Sequence, residues 1–199
     1  MNKDREDFIK KYSSDVIKAT AGTGIYPSVK MAQMIIESSG KDENGIFKTG
    51  KGILARKGNN FFGIKAQKGY TGQTISLNTP GDEKKVSLFR SYSAPIDSIK
   101  DHNEFLIKNS RYKTAGVFTA QTPEQQAAAL DRAFYSETTN PKSAVFKSND
   151  HYSKGIIAII NAYKLKELDK QAGAGNSSLI VPGLIIISLL GITWYISKN

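Results

Sequence analysis

Apolar residues recur every three or four positions in the first part of the chain, which predicts two amphipathic helices. The apolar set of residues 5–20 is Phe8, Ile9, Tyr12, Val16 and Ile17. Residues 28–39 follow Pro27, which is typical of a first helical turn, and precede Gly40, which is typical of a helix end. The apolar stripe of this second helix is Val29, Ala32, Ile35 and Ile36.

The pattern changes in the middle of the chain. Residues 41–60 are rich in Gly and Lys without a sustained period, which predicts a loop. Residues 70–77 and 86–92 carry β-favouring side chains around a turn at 79–82, which predicts a small hairpin. Helical spacing returns in three segments, residues 94–108, 123–134 and 151–168. Several helices with one hairpin predict an α+β fold.

A charge-free apolar segment, residues 179–196, is long enough to cross a bilayer as a helix. At about 1.5 Å per residue it spans about 27 Å, close to the thickness of a bilayer core. Trp194 and Tyr195 lie at one end, where amphipathic rings favour the headgroup layer, and Lys198 follows. We therefore expect a transmembrane helix at 179–197, with a buried helix of the domain core as the alternative.

The chain thus divides into three predicted regions. Residues 1–170 form a folded head, and residues 171–178, made mostly of Gly, Ala, Asn and Ser, form a flexible linker to the membrane helix. Residues 1–12 are charged and lack the apolar segment of a secretory signal, so we expect no ordinary export.

The amino-acid composition limits the kinds of catalytic and metal sites that the chain can form. The 199 residues include no Cys and two His, which excludes disulfides, thiolate nucleophiles and Cys-ligated metals and disfavours a His-rich metal site. We expect no metal and no cofactor. The formal net charge of +10 suits an anionic partner such as nucleic acid, acidic lipid or cell wall, although simple solubility explains it equally well.

Glu37 is the leading catalytic candidate. It lies at the C-terminal end of the second helix, directly after Met34, Ile35 and Ile36. An apolar surrounding and the negative end of a helix dipole both disfavour the carboxylate, so its pKa should rise toward the range of a general acid. The alternative is an exposed glutamate at a helix end.

Four segments carry a resemblance to a known family. They are residues 32–40 (AQMIIESSG), 59–65 (NNFFGIK), 89–92 (FRSY) with Ser98 and Asp101 after it, and 129–135 (ALDRAFY). In this order they resemble glycoside hydrolase family 73, endo-β-N-acetylglucosaminidases that cleave peptidoglycan and have a lysozyme-like α+β fold. The resemblance spans roughly residues 8–168.

The resemblance implies roles for individual residues. Glu37 matches the catalytic acid, and Tyr135 matches the active-site tyrosine. The predicted substrate-binding residues are Asn59, Asn60, Phe62, Tyr92 and Tyr152. Amides can bind N-acetyl and hydroxyl groups and Phe rings can pack on a sugar, although a run such as 59–62 is alone more often a buried turn.

The sequence departs from the family pattern at the second carboxylate. Family members often carry a second Glu in the hairpin, where Asp82 and Glu83 are the nearest candidates here. An insertion at 140–150 also provides Phe146 and, just after it, Tyr152 as rivals to Tyr135.

One carboxyl group suffices for a substrate-assisted reaction. We expect Glu37 to protonate the leaving glycosidic oxygen while the acetamido carbonyl of the substrate attacks, with water activation by a second carboxylate as the alternative. Other hypotheses are a lytic transglycosylase and a catalytically inactive wall-binding membrane protein. A nucleic-acid-binding membrane protein lacks a recognisable reading motif, so no nucleic-acid partner is expected.

The expected partners are peptidoglycan glycan strands and a lipid bilayer, the latter through residues 179–197. Without an export signal, a phage particle with an internal membrane offers a route to the wall, and virion structural proteins would then be neighbours. A bacterial cell membrane or an enzyme made for release inside an infected cell are the alternative settings.

Overall fold

The computed structural model describes residues 2–79, 82–136, 140–142 and 147–173, with backbone only at 79 and 82–85. The helices in these ranges are α1 (Lys3–Thr20), α2 (Pro27–Ser38), α3 (Ile53–Gly58), α4 (Pro95–Lys108), α5 (Ser110–Thr114), α6 (Pro123–Arg132), α7 (His151–Ala162) and α8 (Lys166–Gln171). The strands are β1 (Gly40–Lys41), β2 (Phe47–Lys48), β3 (Thr74–Thr79) and β4 (Asp82–Arg90).

Helix α2 forms the centre of the fold. Every residue from 27 to 35 is buried, because α1, α6, α7 and α8 all pack against this helix. The buried side chains include the apolar stripe predicted from the sequence, but they also include Ser28, Lys30 and Gln33, each with no exposed surface. Polar groups in such a place require partners from other elements.

Both ends of α2 are held by residues distant in sequence. At its start the Ser28 backbone N–H donates to Asp169 Oδ1 at 2.8 Å, although Asp169 belongs to α8. At its end the Gly52 N–H donates to the Ser38 carbonyl oxygen at 2.9 Å. A Cβ atom at Gly52 would come within 2.9 Å of that oxygen, so only glycine permits this approach. The helix end that carries Glu37 is thereby fixed.

Two antiparallel pairs of strands flank the helices. β1 pairs with β2, and β3 pairs with β4 in a longer hairpin whose register aligns Thr74 with Arg90. The chain before β3 runs beside β4, where the Ala66 N–H donates to Leu88 O and the Arg90 N–H donates to Ile64 O. The predicted α+β composition, helices with a small hairpin, is confirmed.

Several predicted boundaries need correction. Residues 41–60 are not one loop: the Asp42 carboxylate accepts from the Asn44 and Ile46 N–H groups, and this turn pairs β1 with β2. α3, which follows, has six residues, too few to show a hydrophobic period. The helix predicted over 151–168 ends at Ala162, because Lys164 adopts a left-handed conformation with φ of 53°.

The membrane helix predicted at 179–197 lies outside the described residues, as does the linker beyond residue 173. Among the helices within the described ranges, none combines the length and the apolar character needed to span a bilayer. The anchor therefore stays a prediction.

Candidate active site

An open cleft of about 810 Å³ lies between the end of α2 and the elements around α4. Glu37 lines it together with side chains that include Phe62, Arg90, Asp101, His102 and Tyr135. Three of the predicted site residues, Glu37, Phe62 and Tyr135, therefore share one cleft. Their positions come from elements far apart in the chain.

The Glu37 carboxyl group is exposed to the cleft on one side and surrounded by protein on the others. Burial raises its pKa, while the hydrogen bond from Tyr152 lowers it. The Tyr152 hydroxyl donates to Glu37 Oε1 at 2.8 Å and accepts from the Gln33 amide at 3.4 Å. Because Oε1 is an acceptor in this arrangement, Oε2 is the oxygen available to carry a transferable proton.

Tyr135 lies against Tyr152 and is held by a histidine. The two phenol rings stack with centroids 5.0 Å apart. The Tyr135 hydroxyl is hydrogen-bonded to His102 Nε2 at 2.9 Å. Burial, followed by the charge of Glu37, raises the pKa of Tyr135 well above its ordinary value, so the hydroxyl stays protonated. Both tyrosines that the sequence presented as rivals thus belong to the same cluster.

The local backbone explains how these tyrosines reach the cleft. After α6, Phe134 adopts a left-handed conformation with φ of 49°, and the Tyr135 N–H donates back to Leu130 O. Asp131, also on α6, accepts from the Ser153 N–H at 3.0 Å through Oδ2. This bond satisfies an N–H in the first turn of α7, next to Tyr152. Helix α6 therefore positions both rings.

The resemblance predicted that Asn59, Asn60 and Phe62 bind substrate, but the two Asn side chains stabilise the local fold. Asn60 is buried, its amide donates to the carbonyl oxygens of Ile64 and Arg90, and its Oδ1 accepts from the Ile64 N–H. Asn59 caps α3 in a left-handed conformation and its amide donates to Tyr92 O. Both amides thus hold the turn, the alternative noted for this run. Phe62 differs, because its ring lines the cleft.

A second polar cluster forms the opposite side of the cleft. Arg90 Nη1 contacts both carboxylate oxygens of Asp101, at 2.7 and 2.9 Å. The Tyr92 hydroxyl donates to Asp101 Oδ2 at 2.5 Å, and burial together with Asp101 raises the pKa of Tyr92. The Tyr92 hydroxyl thus donates its proton to Asp101, and its predicted sugar contact stays a prediction.

Other carboxylates of the described cleft lining are also engaged. Glu104, on α4, forms an ion pair with Lys108 at 2.6 Å. Together with the Arg90–Asp101 pair, this leaves Glu37 as the lining carboxyl without an ion pair among the described residues. Asp82 and Glu83, the predicted second carboxylates, have side chains outside the described part of the chain, and Phe146 lies outside it entirely. The described ranges hold no group of three or more His, Asp or Glu side chains arranged for a metal ion.

The family model described as mannosyl-glycoprotein endo-β-N-acetylglucosaminidase, or glucosaminidase, matches residues 13–165. The chain belongs to this glucosaminidase family. The match covers the whole cleft and most of the head, which confirms the resemblance to glycoside hydrolase family 73.

Two curated relatives of this chain are named as a peptidoglycan hydrolase and a glucosaminidase. The peptidoglycan hydrolase FlgJ of Salmonella typhimurium is 31% identical over 142 residues, or 69% of this chain and 43% of the relative. The exo-glucosaminidase LytG of Bacillus subtilis is 29% identical over 154 residues, or 73% of this chain and 47% of the relative. The chain therefore spans less than half the length of either protein.

A solved structure supports the fold. The glycoside hydrolase domain of Salmonella typhimurium FlgJ matches 90% of this chain and 100% of that domain, with 26% identity and a TM-score of 0.58. Together with the family match, this confirms the lysozyme-like α+β fold predicted for the head.

Three residues of the site escaped the sequence analysis. Gln33, Lys30 and His102 carry polar groups into the network below Glu37 and Tyr135. The sequence holds one signal for Lys30, since it precedes Glu37 by seven residues and two helical turns return to the same face. For His102 the sequence holds no signal except that histidine is rare in this chain, because the hydrogen-bond partners of His102 lie on other elements.

The hydrogen bond from Tyr152 to Glu37 predicts how the pKa of Glu37 changes when the Tyr152 hydroxyl is removed. It favours the ionised carboxylate, so Tyr152→Phe should raise the pKa of Glu37 further and keep the carboxyl protonated to higher pH. The measurement is a carbon NMR titration of glutamate-labelled protein, in which Glu37→Gln identifies the signal.

The matched control is Tyr163→Phe. This change removes a hydroxyl that accepts a hydrogen bond from the Asn2 N–H, at the start of α1. It should leave the Glu37 titration unchanged. A Tyr152→Phe protein with an unaltered or lowered Glu37 pKa would contradict the assigned bond.

Proposed function

We propose that this glucosaminidase is a peptidoglycan hydrolase that cleaves glycosidic bonds of the cell-wall glycan as an endo-β-N-acetylglucosaminidase. The observation that carries the proposal is Glu37, a carboxyl of raised pKa at the cleft with a tyrosine hydroxyl bonded to one of its oxygens. Family membership and the named activities of FlgJ and LytG support the same substrate class.

The general acid in this reaction is Glu37. Its raised pKa favours the protonated carboxyl, and the Tyr152 hydroxyl donates to Oε1, which leaves Oε2 for the leaving glycosidic oxygen. After the bond breaks, the carboxylate left on Glu37 is stabilised by the same Tyr152 hydroxyl. It can then accept a proton from the attacking water.

The nucleophile in our proposal is the acetamido carbonyl oxygen of the substrate. The other carboxylates of the described lining are held in ion pairs with Arg90 and Lys108, which supports a mechanism with one protein carboxyl. As the carbonyl oxygen attacks the anomeric carbon, positive charge grows on the acetamido nitrogen. In this proposal Tyr135, which lines the same cleft as Glu37, holds this group.

The same single carboxyl supports a second candidate, a lytic transglycosylase, which forms an anhydro ring in place of adding water. The products decide between these reactions. An endo-β-N-acetylglucosaminidase leaves N-acetylglucosamine at the new reducing end, whereas a lytic transglycosylase leaves anhydromuramic ends. A catalytically inactive wall-binding protein leaves the glycan intact.

The first prediction under this proposal concerns Glu37. Purified peptidoglycan incubated with the full-length chain should acquire N-acetylglucosamine reducing ends, read by mass spectrometry. Glu37→Gln keeps the shape of the side chain and removes its proton, so cleavage should fall by about 10²- to 10⁴-fold. Glu104→Gln, a change to an exposed carboxyl of the same cleft, is the control that should retain cleavage.

Tyr135→Phe tests the substrate-assisted step. Loss of its hydroxyl should lower kcat/KM by about 5- to 150-fold, the equivalent of about 1–3 kcal/mol. Asp82→Asn and Glu83→Gln should each have little effect on the same peptidoglycan preparation. Should either of them abolish cleavage as Glu37→Gln does, a two-carboxylate mechanism would replace this one.

We also propose, on the sequence alone, that residues 179–197 anchor the chain in a bilayer, either the internal membrane of a phage particle or a bacterial cell membrane. The full-length chain should float with liposomes. Ile186→Lys combined with Leu189→Lys places two charges at the centre of the segment, each costing about 2.5–3.5 kcal/mol there, and should abolish flotation. A doubly charged protein that still floats would reject the anchor.

A further inference from the structure

The Lys30 side chain ends in a polar pair at the bottom of the site. Lys30 on α2 has no exposed surface, His102 on α4 is 2% exposed, and Lys30 Nζ is hydrogen-bonded to His102 Nδ1. The Phe62 ring stacks on the imidazole with centroids 4.0 Å apart and lies 5.0 Å from Nζ. An amine is costly to bury, and methionine would fill a similar volume without that cost.

His102 itself lines the cleft, and the pair is also hydrogen-bonded to a tyrosine that lines it. His102 Nε2 is hydrogen-bonded to the Tyr135 hydroxyl at 2.9 Å, so the chain of contacts runs from Lys30 through His102 to Tyr135. Tyr135 in turn stacks on Tyr152, which donates to Glu37. Lys30 thus lies two hydrogen bonds from a residue that faces the substrate.

The direction of these bonds follows from the protonation of the pair. Burial lowers the pKa of both Lys30 and His102, against a smaller opposing effect of Glu37 on Lys30, which favours a neutral amine beside a neutral imidazole. A neutral imidazole has one N–H and one acceptor nitrogen. An imidazole N–H is a better donor than an amine N–H, and the amine lone pair is a good acceptor.

We propose that Lys30 acts as a hydrogen-bond acceptor that fixes His102 with its proton on Nδ1, so that the Tyr135 hydroxyl donates to Nε2 and turns its lone pairs toward the cleft. Lys30 and His102 are then positioning residues for Tyr135. This inference rests on the proposed function for its consequence. A tyrosine oxygen held as an acceptor can receive the acetamido N–H as positive charge develops on that nitrogen.

The tautomer is measurable without substrate. The full-length chain labelled with ¹⁵N-histidine has only two histidines, and His151→Gln removes the second signal. For His102 we expect a pyrrole-type Nδ1 and a pyridine-type Nε2. A proton on Nε2, or on both nitrogens, would overturn the proposal whether or not the protein cleaves peptidoglycan.

Lys30→Met tests the consequence. Without the acceptor, the His102 proton should move to Nε2, and kcat should fall about tenfold with little change in KM. Because the effect acts through one hydroxyl, Lys30→Met should cause no further loss in a Tyr135→Phe background. An equal loss in both backgrounds would reject a role through Tyr135.

Two comparisons separate positioning from folding. Lys30→Met removes a buried amine, so the melting temperature should be unchanged or higher while kcat falls. Lys18→Met, at an exposed position of α1, should alter neither the tautomer nor kcat. If the wild-type chain does not cleave peptidoglycan, the proposed function fails while the tautomer still decides the Lys30 assignment.

Discussion

A buried helix can carry polar groups at low cost only where other elements supply their partners. Helix α2 receives such partners at its start, its middle and its end, although Ser28 Oγ and Gln33 Oε1 have none among the described residues. Its first turn is held by Asp169, its middle by Tyr152 and His102, and its last turn by the Gly52 backbone. These partners come from four separate segments, so their positions are set relative to one helix. That arrangement therefore determines the geometry of the cleft.

The same constraint determines the electrostatics of the site. Glu37 leaves the enclosed part of α2 at its C-terminal end, where it meets solvent on one side and protein on the others. Burial raises the pKa of Glu37 and the Tyr152 hydrogen bond lowers it, and Tyr152 also bonds to Gln33 of the same helix. The residues that adjust the pKa of Glu37 and those that pack around α2 therefore belong to one network.

Much of the fold was visible in the sequence. The three-and-four spacing identified the long helices, and Pro27 marked the start of α2 to within one residue. Short elements such as α3 and α5 have too few residues for a period to show. Periodicity also cannot tell a surface helix from an enclosed one. It therefore gives no indication that Lys30, which lies outside the apolar stripe, is buried.

The site was predictable where it depends on residue type in a local motif, and unpredictable where it depends on tertiary contact. Glu37 and Tyr135 lie within recognisable segments. Asn60 lies within one too, but the side chain turns back onto its own loop, which no motif reveals. The bond between His102 and Tyr135 joins residues 33 positions apart on different elements.

The bond between Asp169 and the first turn of α2 has a consequence for biosynthesis. Its two partners are 141 residues apart, so during translation the central helix is made long before the carboxylate that completes its N-terminus. Until α8 has emerged from the ribosome, the first turn of α2 in a nascent chain lacks this hydrogen-bond partner. The last described helix thus serves as the closing piece of the domain, and a polypeptide truncated before it would leave the catalytic helix unfinished.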